Sequence, residues 1–251
     1  MLKEQVARNI SKMMNEPEWL LSKRLESYKQ FSELDVPVFR YGIGIWVNLK
    51  DLDFSSVNLE DNNDELIIDS DEVEILKLKD ALIKYEDEIK DLFVKQELIY
   101  TKNKLDALHT SFFNNGLFIR IPENKDVSKP ILINLNLRSN RIEYVLVIAE
   151  KNSNAKIIEY SNSSDTGKQL VRSQIVDIVV KENARLEYKS IQDFGHNVYN
   201  LIKRKGHVAQ NGSLLWVDCC IGSKFTQNNT RTYLEGENSE ELGKLQRNLN
   251  N

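Results

Sequence analysis

The sequence predicts a mainly β protein, a right-handed parallel β-helix (solenoid) preceded by an α-helical N-terminal region. Three observations predict it. After His109, short β-rich runs follow one another without helices between them. Asparagine separates these runs: the chain has 26 Asn, 20 of them after residue 100. Asn tolerates left-handed backbone and bonds its own turn, so it suits many tight corners. Finally, a pattern of Asn, small, polar, aliphatic recurs at Asn154-Ala155-Lys156-Ile157, Asn183-Ala184-Arg185-Leu186 and Asn211-Gly212-Ser213-Leu214, at spacings of 29 and 28 residues. Stacked coils repeat in this way, each bonding to the next with aliphatics inside. A β-sandwich with accidental similarity is the alternative.

Residues 1–108 read as the helical region with an extended connection. Val6, Ile10, Met13 and Met14 recur at helical spacing, as do Leu20, Leu21, Leu25, Tyr28 and Phe31. Asn15-Glu16-Pro17-Glu18 divides the two stretches. Asn15 or Glu16 can cap the second helix, and Pro17 suits its first turn. Residues 36–70 are Asp/Asn-rich and extended, with apolar pieces at Ile43 to Val47 and Leu66 to Ile68. Residues 71–108 read as helical, with Val73, Leu76, Leu82, Ile83, Ile89, Leu92, Phe93 and Leu98 as an apolar stripe. Residues 109–240 form the β-helix core, with runs from Leu117–Ile121 through Leu214–Val217. Asn238-Ser239 begins another corner, and residues 241–251 read as a polar tail or short helix.

Composition bounds the rest. At 251 residues with 41% apolar and 29% charged side chains, the chain can bury a sizeable core. Its longest strictly apolar run, Tyr144 to Ala149, is far short of the roughly 18–20 residues a membrane span needs. No apolar signal core follows Met1, so a soluble, cytoplasmic protein is expected, without a membrane partner. Charge is uneven: residues 51–100 hold 5 basic and 16 acidic side chains, and the remainder carries +7. A solvated acidic segment explains this, with docking on a basic partner as the sharper reading. Nucleic acid is not expected as a partner, because no dense Lys/Arg patch interleaves with aromatics. Tyr41-Gly42-Ile43-Gly44 lacks the context of a phosphate loop and reads as a turn.

Four blocks carry a family resemblance. Asn15-Glu16-Pro17-Glu18-Trp19-Leu20-Leu21 with Arg24-Leu25 and Tyr28 is the first. Leu108-His109-Thr110 through Asn115-Gly116-Leu117-Phe118-Ile119 and Pro122, then Lys129-Pro130-Ile131, is the second. Val176 with Glu182 to Tyr188 and Gln192 follows. Trp216-Val217-Asp218 with Ile221-Gly222-Ser223-Lys224, Tyr233-Leu234 and Gly236-Glu237 completes the set. Collinear over roughly residues 5–240, the blocks resemble the SufB/SufD family of iron–sulfur assembly scaffolds, the last block being closer to SufB. The resemblance implies a non-enzymatic scaffold component of a SUF system. It implies a SufC-like ATPase and a SufD/SufB-like protein as partners, joined through the β-helices, or a homodimer through the same surface. It also implies that an iron–sulfur cluster is held only within a complex and not by the isolated chain. Family members run well beyond this length, and the Cys and Glu implicated in cluster assembly, like the helices that bind SufC, lie past residue 251.

Candidate site residues are few. Cys219 and Cys220 are the only thiols, and thiolates are the natural cluster ligands. They are the candidate cluster or sulfur ligands, although the family commonly carries Gly-Asn there. Adjacent strand residues face opposite ways, so one should point into the solenoid and one outward. His109 is expected to fix a local hydrogen bond, and His196 and His207 to approach each other at one corner. Asp218 and Glu187 read as outward-facing charges, and Trp19 as core. An interaction module that dimerises without assembly chemistry is the second reading. A β-helix carbohydrate-active enzyme is the third, and the acidic cluster along one face that it requires is not seen.

Overall fold

The computed structural model describes residues 2–41, 45–60, 64–95 and 102–247. Gly42 to Gly44, Leu98 and Leu249, which the sequence assigns to a turn, the helical stripe and the tail, lie outside the described residues.

The N-terminal region opens with helices α1 (Glu4–Met14) and α2 (Glu18–Glu33). Asn15 closes α1 in the left-handed conformation and Pro17 is the cap of α2. The expected roles thus shift: Asn15 ends one helix rather than starting the next. The extended connection holds the antiparallel pair β1 (Phe39–Tyr41) and β2 (Ile45–Val47), a 3-10 turn at Phe54–Ser56, and β3 (Glu65–Asp69). Residues 71–108, read as helical throughout, instead begin with strand β4 (Glu74–Lys77) before α3 (Leu78–Lys84), α4 (Glu86–Lys95) and α5 (Lys104–Phe112). In β4, the edge of the first solenoid coil supplies backbone partners that outweigh helical spacing: β4 pairs antiparallel with the following strand, from Glu74↔Arg120 to Lys77↔Leu117.

From residue 115 the chain winds a parallel β-solenoid. Ten strands make five coils: β5 (Asn115–Ile121) with β6 (Ile131–Asn136), β7 (Arg141–Ala149) with β8 (Asn154–Asn162), β9 (Leu170–Val180) with β10 (Arg185–Phe194), β11 (Val198–Val208) with β12 (Ser213–Gly222), and β13 (Phe225–Leu234) with β14 (Glu240–Arg247). Odd strands stack in one sheet and even strands in the other, and β4 and β3 add antiparallel at their starts. The polar tail or short helix expected after residue 240 is strand β14, paired in parallel with β12 from Ser213↔Glu240 to Cys220↔Arg247. A sheet edge that offers a row of unpaired backbone groups favours pairing over helix in this polar stretch.

The two sheets differ in exposure. Strands β8 and β10 alternate buried and exposed positions, while β7 and β9 are buried at every residue. The reason is a second layer: Tyr144, Leu146, Ile148, Val171 and Ile175 on the outer face of β7 and β9 join the core formed with α1, α2 and α5. Val145, Val147, Val176 and Ile178 on the inner face join Ile157, Tyr188 and Trp216 in the lumen. Burial on both faces is why these strands read as continuous apolar runs.

One corner of every coil is an asparagine. Asn124, Asn152, Asn183, Asn211 and Asn238 all have φ between 55° and 60°. From Asn152 onward, each donates its side-chain amide to the side-chain oxygen of the preceding one, at 2.8, 2.9, 3.0 and 3.1 Å. Asn183 and Asn211 are equivalent, as the repeat predicts, and Asn238 is the next corner. Asn154 is not: it starts β8 opposite Arg185, and its corner is Asn152. The connection at residues 163–169 between β8 and β9 is longer than those at 195–197 and 223–224. That length stretches this interval to 31 residues against 28 and 27 for the next two.

Candidate functional site

The lumen is divided along its length. Beside the asparagine corner it is apolar, lined by Val145, Val147 and Ala149 of β7, Val176, Ile178 and Val180 of β9, and Leu186 of β10. Beside the opposite corner, inward positions of the same strands carry polar and charged groups. Arg141 and Glu143 open the row on β7, Arg172 and Gln174 continue it on β9, and Glu159 and Ser161 face them from β8. Burying charges costs several kcal/mol each unless they are paired and hydrogen-bonded. Here they are paired. Arg141 meets Glu143 at 2.6 Å and Asp64 at 3.4 Å, and Arg172 reaches Glu143 at 2.7 Å and Glu159 at 2.5 Å. Glu159 also accepts from Tyr188 Oη at 2.5 Å, Ser161 Oγ at 3.0 Å and Gln174 Nε2 at 3.0 Å. Burial alone would raise the pKa of Glu159, but the charges of Arg172 and Arg204 and the hydrogen bonds from Tyr188 and Arg172 outweigh it and hold the carboxyl at about 2.

The row ends in the later coils. Asp218, read from sequence as an outward charge, is buried in the lumen, where it pairs with Arg204 and accepts from Asn228 Nδ2 at 3.0 Å. The correction follows from the strand period: Asp218 shares a face with buried Trp216, and Arg204 offsets the cost of its burial. Arg204 also lies over Tyr188 and Trp216, 5.3 and 5.6 Å from the ring centroids. Among the described residues its Nε and Nη2 find no hydrogen-bond partner, nor does Asn200 Oδ1 nearby in the strand.

The cysteines straddle this end. Cys220 is on the inward row after Asp218, in register with buried Gln192. Cys219 is on the outward row opposite exposed Ile191. Both thiols are half-buried, and neither is in a disulfide. One inward thiol does not make a cluster site, and no group of three or more His, Cys, Asp or Glu able to hold a metal stands together among the described residues.

The histidines stand apart. His109, in the last turn of α5, is buried against Phe113 and bonds Ser173 Oγ at 3.0 Å through Nδ1. Burial, then the charges of Lys203 and Arg24, pushes its pKa well down, so the ring is neutral. His196 is exposed in the turn before β11, and His207 lies near the far end of that strand, bonded to Glu235 at 2.6 Å and stacked on Tyr233. The two do not meet at one corner: nine residues of the intervening strand, at about 3.3 Å each, hold them apart. Glu187 faces outward beside Lys189 and Lys156, as expected. Trp19 is half-buried, edge-on to Phe93.

The family-model match falls on this solenoid, and the relatives align over nearly the whole chain. Residues 134–243 match the model of the SUF system FeS cluster assembly SufBD core domain. A Staphylococcus saprophyticus protein named as an iron–sulfur cluster assembly SufBD family protein is 27% identical over 95% of this chain and 61% of its own length. Proteins of the same name from Staphylococcus aureus strains MRSA252 and USA300 are 28% and 27% identical over the same shares. The core-domain match and these relatives support membership of the SufB/SufD family. The chain spans about three fifths of the length of these relatives.

The SufB/SufD blocks read from the sequence have structural tasks. In the first, Arg24 is fully buried and grips Glu16 with two bonds of 2.7 and 2.5 Å. It also donates to Ser111 O at 3.2 Å and Phe113 O at 2.8 Å and stacks on the Phe113 ring at 3.8 Å. This one side chain ties the turn between α1 and α2 to the end of α5, where the solenoid begins. In the last block, Gly222 turns the chain with φ +69°, and a Cβ there would collide with the carbonyl oxygen of Phe194. Sequence reasoning missed the lumen charges Arg141, Glu143, Glu159, Arg172 and Arg204. Their signal was present: charged residues at inward positions of strands that are otherwise apolar on that face.

Proposed function

We propose that this SufB/SufD family chain is a non-enzymatic, SufB-like scaffold component of iron–sulfur cluster assembly, working in the cytoplasm. The match of the SufBD core domain over residues 134–243, coextensive with the coils that carry the polar lumen, supports this reading. The chain contributes structure: a solenoid with fixed internal charge and one inward thiol, Cys220, at the end of the polar row. The cluster is cargo rather than a resident cofactor, and it forms only in a complex with a SufC-like ATPase and a SufD/SufB-like protein, which supply ligands this stretch lacks. Anaerobic reconstitution with both partners, a cysteine desulfurase, cysteine, ferrous iron and dithiothreitol as the reductant of the sulfane sulfur tests it. A stable complex that gains visible cluster absorbance is the expected result. Loss of loading in Cys220→Ser but not Cys219→Ser would assign the inward thiol. Absence of any complex would refute the proposal.

A second reading is an interaction module that pairs through the exposed edges of β13 and β14, as a homodimer or with its relative, and loads nothing. Tyr233 and Leu234, 40% and 54% exposed beside that edge, favour it. A complex without cluster absorbance would select it.

A further inference from the structure

The lumen has a mouth at the start of the solenoid. Strands β3 and β4 extend the two sheets ahead of the first coil, and each is the last of its sheet among the described residues. Leu66 and Ile68 of β3, opposite Leu135 and Ile133, take inward positions. So do Ile75 and Lys77 of β4, opposite Ile119 and Leu117. One layer deeper, Leu117, Ile119, Ile133 and Leu135 are buried, whereas Leu66, Ile68 and Ile75 are only half-buried. Between these aliphatics and Met13 and Met14 of α1 lies a cavity of about 610 Å³. Small-molecule sites occupy roughly 300–1,000 Å³.

The cavity is amphipathic along the strands, as the lumen behind it is. Asp64, Lys77, Asn115 and Arg141 lie toward the polar corner, and Ile68 and Ile75 toward the asparagine corner. From Asp64 to Ile68 the strand covers about 13 Å at roughly 3.3 Å per residue, the reach of a medium-length alkyl chain. Asp64 is already committed: it accepts from Arg138 N at 2.7 Å and Ser139 N at 2.9 Å and pairs with Arg141. Lys77 and Lys79 are not. Both are exposed at the rim, and neither is ion-paired to a described residue. The apolar walls are aliphatic or thioether, with no aromatic ring among the described lining residues, so they suit a flexible chain rather than a stacked ring.

We propose that this mouth binds an aliphatic carboxylate, with its alkyl chain over Leu66, Ile68, Ile75 and Met13 and its head group on Lys77 and Lys79. Covering the half-exposed aliphatics drives binding, and the two ammonium groups select an anionic head and fix its direction. The inference goes beyond the scaffold reading and uses neither thiol, so either can fail without the other.

Decanoate, octanoate and acetate are the probes, titrated into the full chain by calorimetry, with 1-octanol as the uncharged counterpart of octanoate. A single decanoate binds per chain, and it raises the unfolding temperature. Affinity rises about fourfold per methylene from octanoate to decanoate, acetate does not bind, and octanoate binds more tightly than 1-octanol. The double variant Lys77→Gln, Lys79→Gln weakens decanoate by about tenfold and leaves 1-octanol unchanged. Met13→Glu, at a position 64% exposed where the fold tolerates charge, weakens decanoate at least as much. Ile191→Asn, exposed on β10, leaves affinity unchanged. The proposal is overturned by no binding at about 1 mM decanoate, by affinity independent of chain length, by binding retained in both mouth variants, or by 1-octanol binding as tightly as octanoate. Recruitment to phosphatidylglycerol vesicles in place of decanoate binding would assign the mouth to a membrane surface and overturn it too. So would a dimer that Met13→Glu dissociates and decanoate leaves intact, since the mouth would then belong to a second copy.

Discussion

Arg204 and Asp218, fourteen residues apart in sequence, meet inside the lumen of consecutive strands. The pair shows how a single side chain departs from what its type suggests. An aspartate in a β-rich run reads as solvent-facing because an unpaired buried carboxylate is too costly, yet a guanidinium reaching from the facing sheet removes that objection. Asp218→Ala leaves Arg204 buried without its carboxylate, and destabilisation by about 3–5 kcal/mol is expected in denaturant unfolding. Replacing both residues with apolar side chains should recover most of that loss. A change below about 1 kcal/mol for the single variant would mean that water screens the pair. Asp177 gives a pH signature of the opposite kind. Burial, opposed by Lys205, the Tyr144 hydroxyl, Lys203 and His207, raises its carboxyl from 3.8 to about 6. The folded state therefore holds this proton more tightly than the unfolded chain, and stability is lost as pH rises from about 4 to about 6. Asp177→Asn should remove that fall. Its advantage over the native chain would be absent near pH 4 and on the order of 2–3 kcal/mol above pH 7, read from paired stability curves.

Among the elements, the asparagine ladder explains why the solenoid was legible before any coordinates, and why one corner was misplaced. Repeated Asn at intervals near 28 residues marks the corners, because only Gly, Asn and Asp visit left-handed backbone cheaply. The similarity of Asn154-Ala155-Lys156-Ile157 to Asn183-Ala184-Arg185-Leu186 is two residues out of register, since residues 163–169 lengthen that coil. A shift of two preserves which face each side chain takes, so the inward aliphatics were assigned correctly while the corner was not. Strand β14 and the strand character of β4 were not legible, because their pairing comes from distant edges that polar or helix-spaced residues do not announce. Asn183 sits mid-ladder, donating to Asn152 and accepting from Asn211. Asn183→Ala loses both bonds and forces Ala into left-handed backbone, at an expected cost of about 2–3 kcal/mol. Asn183→Gly loses the bonds but not the conformation, and its cost should be smaller by about 1 kcal/mol. Equal costs would show that the ladder bonds, not the backbone, dominate the corner.

Across the whole molecule, stability is graded along the solenoid axis. In a stack, each coil touches only its neighbours, so local opening is easiest where one neighbour is absent. The start is protected twice. Strands β3 and β4 cover both sheet edges, and α1, α2 and α5, pinned by Arg24 and Glu16, bury the outer face of β7 and β9. Toward β13 the second layer thins: every residue of that strand is half-buried or exposed, and β14 is the last strand of the other sheet among the described residues. The two regions should therefore separate in native-state hydrogen exchange of this chain. Amides of Val145 to Ile148 and Val176 to Val179 are expected to exchange only through global unfolding, tracking denaturant with the full unfolding slope. Amides of residues 226–233 and 240–244 should exchange through small openings that denaturant barely accelerates. Arg24→Met discriminates the cause. If the helical layer supplies the extra protection, this variant lowers protection in β7 and β9 toward that of β11, while β13 and β14 keep their rates. Uniform protection across all five coils, unchanged by Arg24→Met, would instead mean that the solenoid unfolds as one unit and that the helices merely decorate it.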